Sequence, residues 1–219
     1  DGYGGGGIDL YDLNSQILVN NNLILENTGF RGGGILVDNT GERSSKSESQ
    51  NYSSRFKNNP IATDSQREIP SLINNTIINN TAVSGGGIYC LVCTPTIKNS
   101  IIWGNQPGQI TGDPAEIEYS DIQGGYTGIG NIELEPQIDL NSEYCVLLAS
   151  SPCIDAGDPN SPYDPDGTIV DMGAYFYDQT NEVGEDQLTE KKITLIVGAT
   201  TNPSRYAYSA AQLFYEKGI

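Results

Sequence analysis

The sequence predicts an all-β fold: a parallel β-helix solenoid followed by a small C-terminal α/β fragment. Three observations predict it. The string Gly-Gly-Gly-Ile occurs at 5–8, 32–35 and 85–88, in steps of 27 and 53 residues. Residues 22–35 laid over 75–88 without gaps agree at eight of 14 positions. The apolar runs between them are only three to five residues long and are bracketed by Asn or Gly. Self-similarity at a fixed period is the signature of a repeat architecture.

Each element follows from these repeats. The runs at 23–25, 76–78 and 100–103 are rich in Ile, which is β-branched and suits strands. They are too short for amphipathic helices and show no 3.6-residue period. Asn and Gly tolerate the left-handed backbone that turns a chain sharply. A third copy opens at Asn99 (Asn-Ser-Ile-Ile-Trp-Gly-Asn), 24 residues after Asn75. Coils of about 24 residues stacked about 4.8 Å apart would align equivalent residues. Ile24, Ile77 and Ile101 are expected to form one inward row, and Ile35 and Ile88 another. Asn22, Asn75 and Asn99 are expected to form a polar row at a bend, with amides bonding along the stack. Asn51, Asn74 and Asn79 also lie in glycosylation sequons, but the last two fall within the repeat, which favours a structural role.

The long step between the second and third Gly-Gly-Gly-Ile strings implies an insertion at 38–70. It holds five of the 11 basic residues: Arg43, Lys46, Arg55, Lys57 and Arg67. It reads as a tolerated surface loop, with a partner-binding loop as the alternative. The organisation is then coils over 1–140, an acidic cap module over 141–180, a linker over 181–191 and a truncated β-α unit over 192–219. The chain opens in mid-repeat at Asp1, so further coils are expected to precede it.

Charge narrows the function. Net charge is −17, from 28 acidic and 11 basic residues with no His. That argues against a nucleic-acid partner, which needs Lys and Arg to meet phosphate, and against anionic membrane surfaces. No stretch of 18 apolar residues is present, so no membrane span is expected. From Asp113 to Glu190 there are 18 acidic residues and no Lys or Arg. Within that stretch Asp164, Asp166 and Gly167 have the Asp-x-Asp-Gly spacing of some calcium loops. Asp155, Asp158, Asp164, Asp166 and Asp171 are the candidate calcium ligands. The alternative is a solvated turn in which Asp side chains cap backbone.

Four cysteines, Cys90, Cys93, Cys145 and Cys153, match no zinc pattern and allow three disulfide connectivities. The favoured bridge is Cys145–Cys153, stapling a strand at 144–148 to the Asp155 turn. Cys90 and Cys93 form a second local bridge or remain buried thiols. Such cysteine usage suggests an oxidising, extracytoplasmic compartment.

At this point a resemblance can be stated. Gly-Gly-Gly-Ile-Tyr-Cys, then Pro-Thr-Ile-Lys-Asn-Ser-Ile-Ile-Trp-Gly-Asn, then Tyr-Ser-Asp-Ile-Gln-Gly-Gly-Tyr resemble bacterial right-handed parallel β-helix proteins of the pectin-lyase-like superfamily. Ser-Pro-Cys-Ile-Asp-Ala-Gly-Asp and Asp-Met-Gly-Ala-Tyr resemble the choice-of-anchor-type tail module that ends such helices. The resemblance covers residues 1–178 and implies a secreted or cell-surface protein. Residues 192–219, a strand, a Gly turn and a helical pattern, resemble the start of a Rossmann-type CoA-binding domain. One β-α unit cannot build that site.

Three functions follow as expectations. The first is non-catalytic adhesion or carbohydrate binding to a polysaccharide or cell-surface glycan. Trp103, Tyr119 and Tyr126 are its candidate stacking platforms, with packing on the coils as their alternative. The second is a polysaccharide lyase or glycoside hydrolase, for which Asp9 with Asp12, or Glu116 with Glu118, could supply paired carboxylates. The third is a spacer. An open first coil would also favour self-association.

Overall fold

Successive strands at 18, 23 and 28, and again at 71, 76 and 81, begin five residues apart, because a bend follows each short run. The computed structural model describes residues 5–11, 16–39, 69–112, 116–142 and 144–180. The strand β1 (Ile8–Tyr11) belongs to the preceding rung, and the first full rung comprises β2 (Leu18–Asn20), β3 (Leu23–Leu25), β4 (Thr28–Arg31) and β5 (Ile35–Asp38), with β5 pairing β1. The next comprises β6 (Ser71–Ile73), β7 (Thr76–Ile78), β8 (Thr81–Ser84) and β9 (Ile88–Leu91). Then come β10 (Thr96–Lys98), β11 (Ile101–Trp103) and β12 (Ile110–Gly112), and last β13 (Ile117–Glu118) and β14 (Asp121–Ile122).

These strands stack into four sheets, and every pairing between them is parallel. Sheet A runs β1-β5-β9-β12, sheet B β13-β10-β6-β2, sheet C β14-β11-β7-β3 and sheet D β4-β8. Among the described residues no helix occurs, so the fold there is an all-β stack of parallel rungs, a solenoid. The linker 181–191 and the β-α unit 192–219 lie outside the described residues, as does most of the 38–70 insertion.

The bends explain the sequence punctuation. Asn21, Asn74, Asn99 and Tyr119 occupy one column between sheets B and C, with φ of 55°, 51°, 49° and 48°. Three are Asn, whose short polar side chain tolerates this left-handed region. After each comes a buried polar residue, forming the series Asn22, Asn75, Ser100, Ser120. Each one after Asn22 accepts a hydrogen bond from the equivalent N–H of the rung before it. Asn22 N donates to Asn75 Oδ1 (3.1 Å), Asn75 N to Ser100 Oγ (3.1 Å) and Ser100 N to Ser120 Oγ (3.1 Å). Ser120 N donates in turn to Asn131 Oδ1 (3.0 Å). A second ladder runs Asn27, Asn80, Asn105, with N–H to Oδ1 distances of 2.9 Å at both steps. A backbone N–H at a sharp bend cannot join a sheet, so a side chain satisfies it.

The inner core lies between the sheets. Ile35 and Ile88 pair directly and are fully buried, in the expected row with Ile8 and Ile110. The other row differs by one residue: Ile24 pairs with Ile77, and Ile77 with Ile102. Ile101 pairs with Thr76 and faces the opposite side. The repeat step at this point is 25 residues, 77 to 102, rather than 24. Asn99 accordingly stands over Asn74, to whose Oδ1 it donates (3.2 Å), while Ser100 takes its place in the polar row. With a side-chain period of two, a one-residue slip exchanges inside for outside. The step then shortens to 20 residues, from Ile102 to Ile122.

The triple glycines mark a close approach between rungs. A Cβ on Gly33 would stand 2.5 Å from Gly86 O and 2.6 Å from Thr81 O. Any other residue there would force adjacent rungs apart.

Candidate functional site

Residues 151–177 form an irregular strap that lies on the outer face of sheet C. The outward side chains of that sheet create the demand for it. Ile78 and Ile101 point away from the inner core and would meet water if uncovered. They are buried instead in a second core with Leu147, Cys153 and Met172. Backbone bonds fix the strap to the rungs: Gly173 N donates to Asn99 O (2.8 Å), Ala174 N to Thr76 Oγ1 (2.9 Å) and Asp158 N to Asn99 Oδ1 (2.8 Å). Gly173 has φ of 105°, and a Cβ there would sit 2.8 Å from Thr76 Oγ1. The outward Thr of β7 thus requires glycine opposite it.

Two groups of ionisable residues lie along this seam. In the first, Lys98 of β10 reaches Asp158 Oδ2 on the strap at 2.9 Å and Glu118 of β13 at 3.5 Å. The hydrogen bond to Asp158 holds the Lys98 ammonium above its usual range, and the same bond holds Asp158 below the usual carboxylate range. Lys98 is therefore a charged clamp between solenoid and strap. A proton-abstracting lysine needs the opposite shift.

In the second group, Asp121 of β14 is fully buried and accepts from Leu134 N (3.2 Å) and from the Cys153 thiol (3.4 Å). Burial pushes its carboxyl up to about 6. Burial and the adjacent Asp121 raise Cys153 as well. Asp171, 2% exposed, is pushed up to about 7, first by burial and then by Asp164 and Asp155.

The five candidate calcium ligands are not drawn to a single point. Asp158 is taken by Lys98. Asp166 Oδ1 accepts from Thr168 N and Oγ1, and its Oδ2 from Gln179 N. Asp164 Oδ2 accepts from Asp171 N (2.8 Å), and Asp171 accepts from Asp155 N (2.7 Å) and Tyr177 N (2.6 Å). Asp155 Oδ2 accepts from Gln179 Nε2. Among the described residues no three carboxylate or thiol side chains are arranged to hold a metal ion. Carboxylates among the five cap backbone N–H groups of the turns themselves.

Of the cysteine expectations, the favoured bridge is absent, while thiols at Cys90 and Cys93 are one of the two alternatives. All four are in the thiol form. The Cys145–Cys153 bridge is not formed: Cys153 is buried in the second core and bonded to Asp121, whereas Cys145 lies under the influence of Glu26 and Asp139. No strand occupies 144–148; Leu147 makes a single antiparallel bridge to Ile138.

The three aromatic candidates are divided between the two cores. Trp103 and Tyr119 are half-buried against the second core, and Tyr126 against the inner one. They do not make one exposed platform. Of the paired carboxylates, Glu118 is engaged by Lys98 and Glu116 is exposed, while Asp12 lies outside the described residues.

Sequence reasoning missed Lys98, Asp121 and the second polar ladder. Signals for two of them were present. Lys98 is followed by no basic residue until Lys191. The ladder shows as Asn27, Asn80 and Asn105, each five residues after a member of the first. Asp121 carried no signal, because only the strap above it makes it a buried acid.

Among the described residues no helix is long and apolar enough to cross a membrane. No protein-family model, no curated protein and no solved structure matches this chain.

Proposed function

We propose that this chain is a non-catalytic, secreted or cell-surface β-solenoid of the pectin-lyase-like type that binds an extended polysaccharide. The observation that carries the reading is the outer surface left beside the strap. The strap takes the outer face of sheet C, whereas sheet D keeps Phe30 and Val83 exposed. They lie between the paired residues Gly29–Ala82 and Arg31–Ser84 on adjacent rungs. Arg31 lies over the Tyr89 ring, 5.4 Å from its centroid. A flat apolar step beside a guanidinium–tyrosine stack offers a sugar ring both a hydrophobic face and hydrogen-bond donors. Repetition at the rung spacing suits a polymer better than a single sugar.

The test is a glycan array with the intact chain, followed by Phe30→Ala, Tyr89→Ala and Trp103→Ala. Binding lost in the first two and kept in the third supports the reading. Binding to no polysaccharide, or binding indifferent to Phe30 and Tyr89, overturns it.

The second reading is a polysaccharide lyase or hydrolase, for which the exposed Glu116, beside Glu118 of β13, would supply carboxylates. Incubation with pectin, alginate and xylan, read by absorbance of unsaturated ends and by reducing ends, separates the two. Turnover abolished by Glu116→Gln would establish the enzymatic reading.

A further inference from the structure

We propose that Cys90 and Cys93 form a reversible dithiol–disulfide site, open to low-molecular-weight disulfides, at the corner where the chain leaves sheet A. The backbone brings them together. Cys90 points into the inner core from β9, 1% exposed. Val92 then takes the left-handed conformation, with φ of 54°. That costs strain in a β-branched residue, and after it Cys93 packs against the same inner core. Cys93 Sγ donates to Val37 O (3.4 Å), and Val37 is the residue paired with Cys90 across β5 and β9. Both sulfurs therefore serve one core beside one neighbouring residue. Cys93 is half-buried, so part of it reaches the surface, which Cys90 does not.

The other two cysteines are placed otherwise. Cys153 is sealed beneath the strap against Asp121, and Cys145 is buried elsewhere. Burial raises both thiols.

The chemistry balances with glutathione disulfide as oxidant. The Cys93 thiolate attacks one sulfur of that disulfide, whose S–S bond breaks to release glutathione. The Cys90 thiolate then displaces the second glutathione, forming the Cys90–Cys93 bond. The two cysteine protons end, through solvent, on the two departing glutathione thiolates, and the two electrons reduce the oxidant's S–S bond. The proton that Cys93 shared with Val37 O is lost in the process. Val37 lies next to the start of the 38–70 insertion, so oxidation exchanges a weak bond at that stem for a covalent tie across the corner.

The test equilibrates the intact, reduced chain in glutathione buffers of rising disulfide content. Samples are quenched in acid, and thiols are counted by mass after alkylation in denaturant. Two of the four thiols should disappear together, leaving a chain two hydrogen atoms lighter, with peptide mapping placing the link at Cys90–Cys93. Thiol reductant should restore all four. Unfolding the chain in urea should shift the half-point by about tenfold in the disulfide-to-thiol ratio, because the fold no longer holds the pair. Cys93→Ser and Cys93→Ala, at a half-buried position that tolerates change, should each keep their three remaining thiols. Four thiols persisting throughout, a stable glutathione adduct on Cys93, a link mapped to Cys145–Cys153, or an unshifted half-point in urea would each overturn the proposal.

Discussion

A buried asparagine at a bend does several jobs at once in this protein. Asn75 is fully buried. Its Oδ1 accepts from Asn22 N, and its Nδ2 donates to Val19 O (2.9 Å) and Ile73 O (3.0 Å). Removing that side chain leaves two carbonyls and one N–H without those partners inside the stack. Asn75→Ala should therefore cost about 1–3 kcal/mol, measured by urea unfolding. Asn80→Ala should match it, because Asn80 bonds Asn27 N, Ile24 O and Ile78 O in the same way. Asn21→Ala, at an exposed bend residue outside the ladder, should cost less, and the difference isolates the ladder from the bend. For the apolar counterpart, Ile77→Ala should cost about 2–5 kcal/mol. The same change at Ile101 should loosen the strap, since its side chain faces the second core.

The strap is the element whose hold on the solenoid is most open to test. An ion pair between strap and solenoid runs through Lys98, which is one-third exposed at the side chain. An ion pair of that exposure contributes at most about 1 kcal/mol. Lys98→Met should thus leave the rungs intact but raise hydrogen exchange across 151–177 relative to 71–103. An unchanged ratio would mean that the second core and the strap's backbone N–H bonds hold it without the ion pair. Gly173→Ala is the sharper probe: the added methyl meets Thr76 Oγ1 at a left-handed position. It should displace the strap more than Lys98→Met does. Both variants read the same seam, one through charge and one through space.

At the scale of the whole molecule, acid and base act on stability through different groups. Asp121 and Asp171 hold their protons more tightly when folded, at about 6 and about 7, than at the ordinary value of 3.8. Groups raised in this way favour the folded state at lower pH. Their contribution falls as pH rises from about 4 through about 7. Asp158 is shifted the other way, so its contribution is present above the ordinary carboxylate range and is lost as acid protonates it. Thermal unfolding should accordingly show a maximum on the mildly acidic side and a decline toward pH 8. Asp121→Asn should flatten the decline near pH 6 without moving the acid limb. A net charge of −17 adds self-repulsion on the alkaline side. Added salt should therefore narrow the difference between pH 5 and pH 8, because surface charge is screened and buried charge is not.

The sequence by itself determined the repeat, the strand class and the inner row of Ile35 and Ile88, since these depend on local punctuation and a period of two. It also marked the bends, because left-handed positions select Asn and Gly. It did not determine the third rung's register, because steps of 24 and 25 residues both keep Asn at the bend; contact between rungs chooses between them. Nor did it reveal the strap's course. That follows from the need to cover Ile78 and Ile101 on the outside of sheet C, which exists only once Ile77 and Ile102 have turned inward. The acidic run illustrates the same division. Composition showed many carboxylates, but only the packed structure decided that Asp158 would meet Lys98, that Asp121 would lie buried against a thiol, and that the others would cap their own turns.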